Sequence, residues 1–182
     1  LLAEDNPVNR TLALRLLGKL GHQVEVAANG EEALALHARG HFDIILMDVQ
    51  MPVMDGFAAT ARIREREATG HPHTPIVAMT AHAMTGDRER CLAAGMDGYL
   101  SKPVHAPDLV EALIHHTGNA DPAPPRAAPL MTDDAPVFER EKALFNLGDD
   151  ADLLEQLIVM YAEDEDRLVH DIETALTAGD PE

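Results

Sequence analysis

One cysteine, Cys91, stands in 182 residues. It excludes an internal disulfide framework and fits a reducing compartment. Positive charge is equally scarce: 14 basic residues face 32 acidic ones, for a net charge of −18. Such a chain repels nucleic-acid phosphates and anionic lipid surfaces, so neither is an expected partner. No apolar run approaches the roughly 18 to 20 residues of a membrane helix, and the first residues do not read as a signal peptide. The expected location is therefore cytoplasmic, with no direct membrane contact by this stretch, although a longer parent could itself be membrane-anchored. The chain begins at Leu1 without methionine and stops at Glu182. It is read as a segment of something longer, with its first strand cut short.

The length is about 1.2 times a typical domain of roughly 150 residues, which allows one domain with an appendage or two small ones. Charge divides the chain in the same way. Residues 1–118 carry 15 acids and 10 bases, net −5, while residues 119–182 carry 17 acids and 4 bases, net −13. In the first part, short apolar runs at 1–3, 24–28, 42–49, 76–79 and 98–100 alternate with segments of helical spacing. Those segments include Leu12, Leu16, Leu17 and Leu20, and Ala33, Leu34 and His37. Asn6-Pro7 and Asn29-Gly30-Glu31-Glu32 are helix starts, and Gly21, Gly40 and Gly95 follow helical runs. Five strands alternating with five helices predict an α/β domain with a doubly wound parallel sheet, covered on both faces. The run Ile44-Ile45-Leu46-Met47 suits its central strand.

Residues 118–136 hold five prolines and read as a semi-stiff linker. Beyond it, apolar stripes through Leu144 and Leu147, through Leu153 to Tyr161, and through Leu168 to Leu176 predict a small all-α segment over 137–182. Some 46 residues are too few to bury those stripes unaided, so this segment is expected to be incomplete, docked, or paired with another chain. The run Glu163-Asp164-Glu165-Asp166 is read as a solvated helix face, because four adjacent helical residues do not converge on one metal centre.

Ligands of an open parallel sheet bind beyond the carboxyl ends of its strands. The polar residues expected there are Glu4 and Asp5 after strand one, Asp48 after strand three, Thr80 after strand four and Lys102 after strand five. Clustered carboxylates raise one another's pKa unless a cation joins them, and a hard divalent ion, Mg²⁺ above all, satisfies oxygen ligands while leaving positions for a phosphate. A carboxylate nucleophile, a hydroxyl, a lysine and Mg²⁺ are the parts of a phosphoryl-transfer site in which Asp48 attacks in line.

Together, Glu4-Asp5-Asn6, Met47-Asp48-Val49-Gln50-Met51-Pro52, Met54-Asp55-Gly56, Thr80-Ala81 and Ser101-Lys102-Pro103 resemble the receiver domain of two-component response regulators. The resemblance covers residues 1–117 and implies a flavodoxin-like fold. It further implies that Asp48 accepts phosphate from the phosphohistidine of a kinase or phosphotransfer domain. Glu4, Asp5, Asp48 and the main-chain carbonyl of Gln50 would hold Mg²⁺. Thr80 and Lys102 would contact the phosphoryl group, Tyr99 stands at the aromatic switch position, and Gln50 and His82 at positions that tune dephosphorylation. Glu4-Asp5 replaces the family's usual pair of aspartates. The remaining histidines show no zinc spacing, and Met47, Met51, Met54, Met79 and Met84 are read as packing.

Residues 138–180 are more weakly similar to the first half of a histidine phosphotransfer domain, through Phe138, Leu147-Gly148-Asp149-Asp150 and Gly179-Asp180. The histidine motif of such bundles is not within the 182 residues. His170 lacks the motif's lysine and glycine, and nearby acids would repel a phosphoryl group. Receiver, linker and acidic helical segment, with no basic helix-turn-helix, suggest the C-terminal region of a bacterial hybrid sensor histidine kinase, which could form homodimers through the parent kinase. Two other readings compete. An aspartate-nucleophile phosphatase of the haloacid dehalogenase type would need a second Asp where Gln50 stands. A non-catalytic pseudo-receiver would have lost one of the site residues.

Overall fold

Parallel strands and helices alternate in the computed structural model, which describes residues 1–81, 85–117, 144, 151–155 and 158–159. The chain runs β1 (Leu2–Ala3), α1 (Pro7–Lys19), β2 (Val26–Ala27), α2 (Gly30–His37), β3 (Ile45–Asp48), α3 (Gly56–Glu67), β4 (Ile76–Thr80), α4 (Thr85–Ala93), β5 (Gly98–Ser101) and α5 (Ala106–Thr117). The sheet order is β2-β1-β3-β4-β5, all parallel, with Leu2 opposite both Val26 and Leu46, Leu46 opposite Val77, and Val77 opposite Gly98. This is the doubly wound parallel sheet expected from the alternation of runs, in the flavodoxin-like arrangement that the resemblance implies. The linker and most of the helical segment, including His170, lie outside the described residues.

Both faces of the sheet are buried, which is why β3 and β4 read as unbroken apolar runs. On one face Leu2, Leu46, Val77, Met79 and Leu100 pack with Leu12, Leu16 and Leu17 of α1 and Leu109 and Leu113 of α5. On the other, Ala3, Ile45, Met47, Ile76 and Ala78 meet Ala33 of α2, Ala59 and Ile63 of α3, and Cys91 of α4. Each large aliphatic side chain removed from water contributes roughly 1.5 to 3 kcal/mol. The strands are shorter than the runs that predict them. Val24, Ile44 and Phe42 pack on the cores without joining a ladder: β2 pairs through two residues, and the β3–β4 ladder begins at Ile45. Asp48 and Thr80 are the last paired residues of β3 and β4 rather than the first loop residues, because laddering engages only their backbone.

The helix starts follow their chemistry. Asn6 Oδ1 accepts from the Val8 and Asn9 N–H groups ahead of Pro7, Asn29 Oδ1 accepts from Glu32 N–H, and Asp55 Oδ1 accepts from Ala58 N–H at 2.7 Å. The loop between β3 and α3 folds tightly behind Asp48. Val49 N–H donates to Met79 O, Gly56 N–H to Val49 O and Met54 N–H to Pro52 O. A β-carbon at Gly56 would overlap the main-chain oxygen of Asp48, so only glycine lets α3 start this close to the sheet.

Two features go beyond what the residues alone indicate. Beneath the sheet, Arg64 donates to Gly95 O, Thr74 O, Glu67 and Asp97, and His73 bridges Glu67 and Asp97 with both ring nitrogens at 2.9 Å. The network pins α3 to the β4 and β5 approaches. Backbone and side-chain hydrogen bonds, with the Arg64 charge, hold Glu67 below the usual carboxylate range despite its burial. The second feature is in the helical segment, where Leu153 and Leu154 are buried in the α1/α5 core and Leu144 packs against it. That segment was expected to be docked, paired or incomplete, and these leucines are docked.

Val53 is 77% exposed and holds φ at +67°. A β-branched residue in the left-handed region is strained, and its side chain has almost nothing to lose. Val53→Gly is therefore expected to raise unfolding free energy by about 1 kcal/mol in a urea titration, net of glycine's extra unfolded-state freedom. A loss of stability would contradict the strain at this position.

Candidate functional site

The chain leaves β1 toward β2 on one side of the sheet and returns through β3 on the other. The carboxyl ends of β1 and β3 thus flank the point where the strand order reverses. Glu4 and Asp5 follow β1 directly, and Asp48 ends β3. One carboxylate oxygen from each of the three lies within 4.8 Å of the others, Glu4 and Asp48 buried and Asp5 the more exposed. Lys102, just beyond β5, projects its ammonium between the buried pair, 2.7 Å from Glu4 Oε2 and 2.6 Å from Asp48 Oδ2.

The backbone fixes each of these positions. Glu4 N–H donates to Ala27 O, and Lys102 N–H donates to Thr80 O at 2.7 Å, tying the lysine loop to the end of β4. The Lys102–Pro103 peptide is cis. Asn6 N–H and Asn9 Nδ2 donate to Glu4 Oε1, and Gln50 N–H donates to Asp48 Oδ1 at 3.1 Å. Glu4 Oε2 has the Lys102 ion pair but no well-directed hydrogen bond.

Three carboxylates and one ammonium leave a formal charge of −2 in a largely water-excluded rim. Burial pushes the Asp48 carboxyl above the ordinary aspartate range, Lys102 and the Gln50 N–H pulling the other way and Asp5 adding to the rise. Burial likewise raises Glu4, with Asp48 adding to the rise and Lys102 opposing it. Desolvation outweighs the single lysine. A divalent cation matches the missing charge and the all-oxygen donor set, so the residues present fit Mg²⁺.

The expected residues fall into place unevenly. Glu4, Asp5, Asp48 and Lys102 converge. Thr80 is buried at the end of β4, on the strand beside Asp48. Tyr99 lies in β5, half-buried, with the Arg88 guanidinium carbon 6.0 Å from its ring centre. His82 lies outside the described residues. Sequence reasoning did not find Asn6 and Asn9 as partners of Glu4. Their positions at a helix start signal a cap, and only the fold shows that the same turn faces the acid.

The structure is thus a doubly wound parallel sheet with an acid cluster at its switch point and a lysine from the next loop but one. Residues 1–114 match the response regulator receiver domain, and the chain belongs to that family. It is 36% identical over 185 residues to the sensor histidine kinase GacS of Pseudomonas protegens, a match covering 99% of this chain and 20% of that one. It is 44% identical over 104 residues to the sensor histidine kinase RcsC of Escherichia coli, covering 57% of this chain and 10% of that one. The chain thus spans a fifth or less of the length of these kinases. Among solved structures, it resembles the receiver domain of a Pseudomonas aeruginosa sensor histidine kinase with a magnesium ion in the active-site cleft. That match has 44% identity and a TM-score of 0.59, covering 65% of this chain and 95% of that one. A second is the co-crystal of the yeast histidine phosphotransfer protein Ypd1 with the receiver of its response regulator Ssk1, at 30% identity and TM-score 0.61, covering 64% and 86%. Relatives in Dictyostelium discoideum show that this family extends beyond bacteria.

Because Asp48 and Glu4 titrate high in the folded state, the stability that these two groups contribute to the cation-free chain is fully present below the ordinary carboxylate range and is lost as pH rises through their raised values. Asp48→Asn removes one buried charge and is expected to stabilise the cation-free chain by on the order of 1 kcal/mol near neutral pH, and by less toward pH ~4. Urea unfolding of both proteins across that range checks it. A variant less stable at neutral pH would contradict the electrostatic reading of the site.

Proposed function

We propose that this chain is the receiver of a phosphorelay, in which Asp48 takes a phosphoryl group from a phosphohistidine of a kinase or phosphotransfer domain. The reading is carried by the ammonium of Lys102 standing between Glu4 and Asp48, with Asp5 completing the acid cluster. Glu4, Asp5, Asp48 and the Gln50 carbonyl would hold Mg²⁺, which supplies positive charge for the phosphoryl oxygens and for the crowded carboxylates. Asp48 Oδ forms the new bond to phosphorus while the phosphorus–nitrogen bond breaks, the electron pair leaving with the imidazole. Lys102 and the Thr80 hydroxyl meet the phosphoryl oxygens. Tyr99 reports the changed charge at the edge of the sheet, and Gln50 and His82 set how long the acyl phosphate survives.

The parent is a hybrid sensor histidine kinase on the cytoplasmic side of its membrane or in the cytoplasm. Residues 1–117 are its receiver, 118–136 a linker and 137–182 the start of a phosphotransfer bundle. The similarity to GacS along 99% of the chain supports this order. Donor and downstream partner are phosphohistidine domains of the same or another chain, and the parent dimerises as kinases of this type do.

Incubation with acetyl phosphate and Mg²⁺ should add about 80 Da to the intact protein and nothing to Asp48→Asn, as read by mass spectrometry. Lys102→Ala should still take the adduct, more slowly, and lose its conformational response to it. No adduct on the unmodified chain would leave only a non-catalytic interaction module.

A further inference from the structure

The α1/α5 face of this receiver carries a second kind of surface. Leu153 is fully buried and Leu154 is 5% exposed within the same apolar cluster as Leu12, Leu16 and Leu17 of α1, Val104 in the loop before α5, and Leu109 and Leu113 of α5. Leu144 packs on the cluster from the same segment. Residues 118–143 separate that segment from the end of α5, and at about 3.3 Å per residue they can reach any point on so small a domain. We infer that the α1/α5 face is the docking surface for the chain's own helical segment, anchored by Leu153, so that receiver and segment open as one unit.

Charge argues for the apolar basis of this contact. Residues 1–118 carry −5 and residues 119–182, linker included, −13, so their long-range interaction is repulsive and burial must supply the attraction. Tethering raises the effective concentration of the segment at the face, which lets a few leucines suffice. On the same segment Ile158 is 49% and Val159 56% exposed, so among the described residues of the segment Leu144, Leu153 and Leu154 meet the face and Ile158 and Val159 do not. The position has a functional side. α5 starts three residues after Pro103, and Val104 in the docking cluster is two residues from Lys102. The segment therefore packs against Val104 of the loop that carries the site's lysine and against the helix that follows it. The docking itself does not depend on the phosphorelay reading.

Hydrogen exchange of the full 182-residue chain tests the inference. Leu153→Asp should speed exchange in α1 and α5 by about tenfold relative to β3 and β4 of the same molecule, and Leu153→Ala by less in the same direction. Ile158→Asp should leave both helices unchanged. Added salt should slow exchange in α1 and α5 of the unmodified chain by screening the repulsion. Identical α1 and α5 exchange in the unmodified chain and Leu153→Asp would overturn the docking. Protection that rises with protein concentration would overturn it too, by showing that a second copy supplies the leucines. Failure to form the acetyl phosphate adduct touches only the proposed function.

Discussion

The ammonium of Lys102, held between the buried carboxylates of Glu4 and Asp48, is the interaction on which the rest of the site depends. Two acids from different strands would not stay charged and side by side out of water without it. A single positive charge does not balance the three carboxylates present, and the raised Glu4 and Asp48 carboxyls are the consequence. The fold thus stores an unmet demand for positive charge where the strand order reverses. A rim with that demand is suited to a divalent cation and, once the cation is present, to an anion that needs both cation and lysine.

Packing supplies the rigidity that this charge arrangement requires. Apolar side chains cover both faces of β3 and β4, so Asp48 ends a strand that cannot shift without opening two cores. The β3–α3 loop is locked by three main-chain hydrogen bonds and by the missing β-carbon of Gly56. At the opposite edge, Lys102 is tied to Thr80 through its own N–H. Among the described residues the non-glycine residue in the left-handed region is exposed Val53, where relief of its strain would disturb no buried contact.

Much of this was legible in the residues. Continuous apolar runs gave the doubly covered sheet because parallel strands have no polar face, and helix starts such as Asn6-Pro7 carry their own local chemistry. The acids and the lysine come together because strand ends in an open sheet share one rim. Strand ends were less legible: Asp48 and Thr80 pair through the backbone, which side-chain pattern does not report. The Arg64–Glu67–His73–Asp97 network was missed since its members are distant in sequence and each looks like an ordinary surface residue. His73 in particular stood only among the histidines without zinc spacing. The docking of Leu153 and Leu154 was anticipated only as a need for cover, because an apolar stripe shows that a helix must be buried but not against what.

The most direct measurement is a carbon NMR titration of the Asp48 and Glu4 side-chain carboxyls, with and without Mg²⁺. Without the ion, both should titrate above the ordinary carboxylate range, and addition of Mg²⁺ should bring both down. Ordinary cation-free titration of Asp48, or no response to Mg²⁺, would contradict a site whose charge is left unmet by Lys102.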